Sequence, residues 1–186
     1  MEKLTLLDDD RLIKMYINGN INALGTLVVR YKDKIFQSIY LLVKEKELAE
    51  DIFQDLFIKI IEKINSGKYN EEGEFCAWAT TIAHNLCVDY FRKQKIRSAI
   101  KVRDDLDVFE AIDSKAKCTD DEIISYEDKE AIGKLLDQLS EEQREVVILR
   151  HYADLGFREI AAITNCSINT VLGRMRYALI NLRKIA

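Results

Sequence analysis

Residues 157–184 read FREIAAITNCSINTVLGRMRYALINLRK, and the fold turns on how that run divides. Apolar residues recur at helical spacing through 157–163, pause at Thr164–Ser167 and resume from Ile168, so two helices joined by a tight turn are expected. Ala161 is small where such helices cross. Asn165 tolerates a left-handed turn conformation, and Cys166 offers the turn a small apolar side chain. Ser167 is placed to cap the second helix, with Val171 and Met175 one turn apart facing inward. That helix, to about Lys184, carries Arg174, Arg176, Arg183 and Lys184 and no acid. A helix-turn-helix that enters a DNA groove needs such a helix; the alternative is an ordinary hairpin whose Arg183 and Lys184 favour a helix C-terminus.

Ser140-Glu-Glu-Gln143, just upstream, is a capping-box signature opening a helix with Val146, Val147 and Leu149 on its apolar side. Further upstream, residues 104–130 hold eleven acids against Lys115, Lys117 and Lys129. Before them, residues 91–103 hold Arg92, Lys93, Lys95, Arg97, Lys101 and Arg103 with no acid. A net charge of −4 argues against nucleic acid only if spread evenly, and here two basic blocks flank an acidic one, as two separate polyanion contacts require. The pattern thins from 98 to 125, which reads as a linker with at most short helical pieces and, as a flexible coil, a reach of about 30 Å.

The N-terminal half carries three helical stripes: Leu24, Leu27, Val28, Tyr31, Ile35, Phe36 and Ile39; Leu48, Ile52, Phe53, Leu56, Phe57, Ile60, Ile61 and Ile64; and Phe75, Trp78, Ala79, Ile82, Ala83 and Leu86. No proline interrupts them, and residues 66–74 read as an exposed loop. With 186 residues and 48% hydrophobic content, one or two real cores are available. The expected fold is all-α: a helical domain over 1–97, an acidic linker over 98–125, and a helix-turn-helix domain over 126–186.

Several classes of function gain no support. Cys76, Cys87, Cys118 and Cys166 lie 11, 31 and 48 residues apart, so no CxxC pair serves a metal or redox site, and they read as reduced and structural. His84 and His151 lack a carboxylate or cysteine at ligand spacing and read as surface or packing residues. No catalytic residue, metal or cofactor is expected. No apolar window approaches the roughly 18 residues of a membrane span, and no basic head precedes an apolar stretch at the N-terminus, so a soluble, cytoplasmic protein without membrane insertion is expected.

Four segments in order, AEDIFQDLFIKI (49–60), FCAWATTIAHNLCVDYFRK (75–93), LSEEQREVVILR (139–150) and REIAAIT with SINTVLGRMRYA (158–178), resemble the extracytoplasmic-function (ECF) sigma factors of the sigma-70 family. The resemblance implies that the surface of Asp51, Gln54, Asp55 and Phe57 meets the clamp helices of core RNA polymerase, with the flap as a further partner. On the residues alone, Asp51 and Asp55 at i, i+4 lie opposite the apolar stripe, suited to a basic partner or simply solvated. It further implies that the next segment melts promoter DNA and reads its −10 element: Asn85 near a flipped base, Tyr69 and Asn70 in the loop closing over it, Trp78 a core anchor. An unstacked base needs an amide for its edge, while Arg92, Lys93 and Lys95 follow the backbone; a helix-packing asparagine is the plainer reading.

In the second helix of the helix-turn-helix, Ile168, Asn169 and Thr170 stand where side chains reach base edges of a −35 element, with Arg174, Arg176 and Tyr177 a turn or two later. The chain departs from the family pattern at Leu172 and Gly173, where lysine and serine are common, and at Asn165, which replaces the turn glycine. Members are usually held by an anti-sigma factor, expected here as a partner beside core polymerase and promoter DNA. The expected function is thus promoter-specific transcription initiation without chemistry of its own; the competing reading is a stand-alone helix-turn-helix regulator with a helical sensor domain.

Overall fold

The computed structural model describes residues 2–69, 75–104 and 132–185, and among these there is no strand. Among the described residues the helices are α1 (Glu2–Thr5), α2 (Asp9–Ile17), α3 (Ile21–Val43), α4 (Lys46–Asn65), α5 (Phe75–Asp104), α6 (Glu141–His151), α7 (Phe157–Ile163) and α8 (Ile168–Ile185). A helical turn at 132–136 precedes α6. The architecture is the expected all-α pair of helical domains, the second ending in a helix-turn-helix.

In the first domain α3, α4 and α5 pack against one another and α2 lies across α3. Their stripes converge on Leu12, Leu27, Ile35, Ile39, Leu56, Ile60 and Phe75, all sealed from solvent, and each such side chain contributes about 1.5–3 kcal/mol by leaving water. The helix starts follow local chemistry: Asp8 accepts the Arg11 amide at 2.8 Å, and Asn20 accepts that of Asn22 at 3.1 Å. At the other end of α3, Lys44 stops the helix in a left-handed conformation, φ 63°. One surface clip ties α2 to α3. Arg30 donates to Asp9 Oδ1 at 2.5 Å and to the Thr5 and Leu7 carbonyls at 2.9 Å.

Helix α5 continues to Asp104, seven residues into the span read as linker. Between Arg92 and Asp104 there is neither glycine nor proline, and lysine and arginine favour the helix, so nothing in 98–104 stops it. The rest of that span lies outside the described residues.

The second domain closes over Val146, Leu149, Leu155, Ile160 and Val171. Arg150 fixes the α6–α7 connection by donating to the Leu155 carbonyl at 2.8 Å, with its guanidinium 5.2 Å above the Phe157 ring. Half of the expected capping box is present at α6. Ser140 Oγ accepts the Gln143 amide at 3.4 Å, but the Gln143 side chain turns instead to α8, where its Oε1 accepts from Asn181 Nδ2 at 3.1 Å. Interhelical packing offered that amide a partner that local sequence does not show.

The two domains also touch each other, α3 against α6 and α5 against α7.

Candidate nucleic-acid interface

The helix-turn-helix is built from the residues that signalled it. Asn165 takes a left-handed conformation at φ 52°, and Ser167 Oγ accepts the Thr170 amide at 3.1 Å, capping α8. Thr164 donates to the Ile160 carbonyl at 2.7 Å and its hydroxyl lies 3.1 Å from Cys166 Sγ, which closes the turn. Val171 and Ala178 are buried under α8 and Met175 is packed beneath it. The opposite side is open: Ile168, Asn169, Thr170, Leu172, Arg176 and Tyr177 are exposed.

The expected set on α8 is therefore brought together with two adjustments. Thr170 Oγ1 is engaged with Ser167 Oγ at 2.9 Å, so its hydroxyl belongs partly to the cap. Arg174 is half-buried and turned to the turn, its Nη1 4.0 Å from Cys166 Sγ. Backbone and Ser140 hydrogen bonds hold the Glu142 carboxyl below its ordinary range, and the Arg174 charge adds to that effect. Leu172, 44% exposed, was missed as a candidate because the sequence reading treated it as a lost polar contact. Gly173 beside it leaves open space where a side chain would stand. An exposed apolar face of this kind suits a thymine methyl.

In the first domain Asn85 is exposed at the edge of a cavity of about 350 Å³. Trp78 and Thr81 line it with Asn85 from α5, and Glu159, Ala162 and Ile163 line it from α7. Trp78 packs against the core and meets the Tyr69 ring edge-on at 4.9 Å, so Tyr69 is a half-buried buttress of that wall. Asn70 lies outside the described residues. Arg92 and Lys93 are exposed on α5, with Arg92 Nη2 3.0 Å from Asp89 Oδ1, and Lys95 belongs to the same helix.

On α4, Asp51, Gln54 and Asp55 are exposed on the side away from Ile52, Leu56 and Ile60. Phe57 differs: it is half-buried and stacks edge-on with Phe53 at 4.9 Å, which in turn meets Phe36 at 5.6 Å. Ile58, 56% exposed, extends the acidic face with an apolar group. The signal for it was an isoleucine set off the buried stripe, and the periodicity reading passed over it.

Buried thiols complete the picture. Burial pushes the Cys87 thiol up to about 12 and raises that of Cys76, which makes both poor nucleophiles. Among the described residues no three His, Cys, Asp or Glu side chains gather as metal ligands, and no helix is long and apolar enough to cross a membrane.

The family description Sigma-70 region 2 matches residues 27–96, and Sigma-70, region 4 matches residues 129–179. The ECF RNA polymerase sigma factor SigW of Bacillus subtilis (strain 168) is 30% identical over 176 residues, covering 92% of this chain and 93% of that protein. The chain belongs to the ECF sigma factors. The ECF RNA polymerase sigma-E factor of Escherichia coli (strain K12) is 28% identical, covering 91% of this chain and 89% of the relative. The fold is shared with CnrH, solved in complex with the cytosolic domain of CnrY, at a TM-score of 0.67 and 21% identity over 95% of this chain and 96% of that one. Within this ECF sigma factor, the α4 face and the Asn85 cavity wall fall in the region 2 match. The open face of α8 falls in the region 4 match.

Proposed function

We propose that this ECF sigma factor binds core RNA polymerase and directs initiation at promoters by reading a −10 element with its first domain and a −35 element with its second. The observation that carries the reading is the open side of α8: an acid-free, Ser167-capped helix whose first three turns turn Ile168, Asn169, Leu172 and Arg176 outward. A major groove accepts such a helix, with Asn169 and Arg176 suited to base edges and Leu172 to a thymine methyl. Thr170, Arg174 and Tyr177 border that face.

Asp51, Gln54 and Asp55, with Ile58 beside them, form the docking face for a basic helical surface of the polymerase clamp, and Phe57 supports it from within. Asn85 receives an unstacked base, Tyr69 and Asn70 serve as further DNA contacts, and Arg92, Lys93 and Lys95 follow the phosphates. Domain limits of 1–97 and 126–186 fit the two family matches. The acidic residues between them suit a basic protein channel better than DNA. The protein works in the cytoplasm without a cofactor and contributes no chemistry, since the polymerase supplies the catalysis. An anti-sigma factor is its natural restraint; the sigma factor RpoE, of the same fold, was solved in complex with the anti-sigma factor NepR from Bartonella quintana. A stand-alone regulator needs a sensor domain, and the region 2 match over 27–96 occupies that place.

The test is reconstitution with core polymerase and run-off transcription on a library of genomic fragments. Discrete start sites that depend on this chain support the reading. Tight binding to a duplex operator without polymerase, and no new transcripts with it, would overturn it.

A further inference from the structure

Gly173 stands at the centre of the open side of α8. The buried residues Val171 and Ala178 lie two before it and five after it, about 200° and 140° around the helix, so Gly173 faces away from the second domain's core. Asn169 and Tyr177 are about one turn to either side, with Leu172 and Arg176 beside it, and all four are exposed. The midpoint of an exposed ring of side chains therefore carries none of its own.

No neighbour among the described residues asks for a glycine here. A Cβ added at Gly173 would meet nothing within 4 Å, and the position is helical, without the positive φ of Gly19 and Gly67. In a helix interior glycine weakens the helix relative to alanine. That weakness is kept on a helix that carries Arg174, Arg176, Arg183 and Lys184 and no acid, the charge pattern a duplex attracts.

A requirement from the DNA accounts for it. A helix with its side chains is about 10–12 Å across and a major groove about 12 Å wide, so the side chains on the inserted face set how deep the helix sits. A face with a bare centre lets the backbone settle toward the groove floor. Ile168, 39% exposed, and Leu172, 44% exposed, border that centre about 6 Å apart along the axis, close to two base-pair steps. Neither side chain can donate or accept a hydrogen bond, and the group on a base edge that matches them is the thymine 5-methyl.

We propose, taking α8 as the −35 reader, that Gly173 is its point of closest approach to the groove floor and that this depth seats Leu172 against a thymine methyl. Selection of the −35 element then runs through a methyl contact that bulk at position 173 abolishes. Gly173 is a positioning residue and Leu172 a specificity residue; Asn169 and Arg176 keep the polar contacts around them.

The test uses the full chain assembled with core polymerase, and a promoter duplex taken from the start sites that run-off transcription maps. Competition binding compares three forms of its −35 element: native, with uracil for every thymine, and scrambled. Wild type should prefer the native form over the uracil form about fourfold, the factor that one buried methyl is worth. Leu172→Ala should bring that ratio near one. Gly173→Ala should do the same and weaken native binding several-fold, while raising the melting temperature of the chain, a combination that a structural role for the glycine does not produce. Gly25→Ala in α3, where an added Cβ also meets nothing within 4 Å, should raise the melting temperature and leave DNA binding unchanged. Equal binding of native and uracil forms by wild type, with the scrambled form rejected, leaves α8 as the −35 reader and overturns the methyl contact. Native binding at full strength by Gly173→Ala overturns the close approach. A scrambled element held by wild type as tightly as the native one overturns the −35 reading itself.

Discussion

The Tyr31 hydroxyl donates to Asp9 Oδ2 at 2.7 Å, joining α3 to the start of α2 across 22 residues. Burial, followed by that hydrogen bond and the Asp9 charge, pushes the Tyr31 phenol up to about 12. A raised value means the folded chain favours the protonated phenol. Its contribution is therefore complete below the ordinary value of 10 and is lost as pH climbs toward about 12. Tyr31→Phe should cost about 1–2 kcal/mol at neutral pH through the lost hydrogen bond to a carboxylate, and should flatten the alkaline loss of stability. Urea unfolding at pH 9 to 11.5 checks this; Cys87 leaves a residual slope in both proteins, and identical slopes would remove Tyr31 from the account.

On α4 the charged and aromatic members of the docking face should separate cleanly. Asp51→Lys with Asp55→Lys should abolish assembly with core polymerase while the melting temperature stays within a few degrees, since both groups are exposed. Phe57→Ala should instead lower stability by about 1–3 kcal/mol, because its ring stacks on Phe53. A double lysine variant that still binds polymerase would move the docking face elsewhere.

Asn85→Ala should leave stability within about 0.5 kcal/mol and spare polymerase assembly, as expected of an exposed amide, while open-complex formation falls. A pre-melted promoter bubble should restore activity only in part, because a captured base matters in the bubble as well. Permanganate footprinting of duplex and bubble templates reads the two steps; complete rescue would sink base capture.

The two arginines of α8 should not behave alike. Arg176→Ala should weaken −35 binding by about 1–3 kcal/mol in a sequence-dependent way if it meets a base, or uniformly with a shallower salt dependence if it meets phosphate. Arg174→Ala, half-buried beside Cys166, should also lower the melting temperature of the second domain. Binding isotherms at several salt concentrations, with melts of both variants, distinguish these outcomes. Unchanged binding in both removes α8 as the reader.

Much of the molecule was legible because helices are local. Apolar spacing named most of the core of α3 and α4, though Ile61 of the α4 stripe is 37% exposed and Ala23, Leu41, Val43 and Ala49 are buried outside the stripes; Asn165 and Ser167 marked the turn and the cap that the structure contains. The same local logic misplaced the end of α5, since acidic composition after 104 says nothing of where a proline-free basic helix stops.

What the sequence determined alone is the set of helices, their buried faces and the helix-turn-helix, because period, caps and turn conformations act within a few residues. What only the tertiary structure decided is where unpaired side chains found partners. His84, read as a surface or packing residue without a carboxylate in reach, meets Glu145 from the other domain. Leu41 is buried in the second domain's cluster, and Gln143 turns from its own cap to Asn181. Arg174 leaves the open face for Cys166. Each of these depends on distance in space between residues far apart on the chain or across a turn, and hydrophobic periodicity carries no record of that distance.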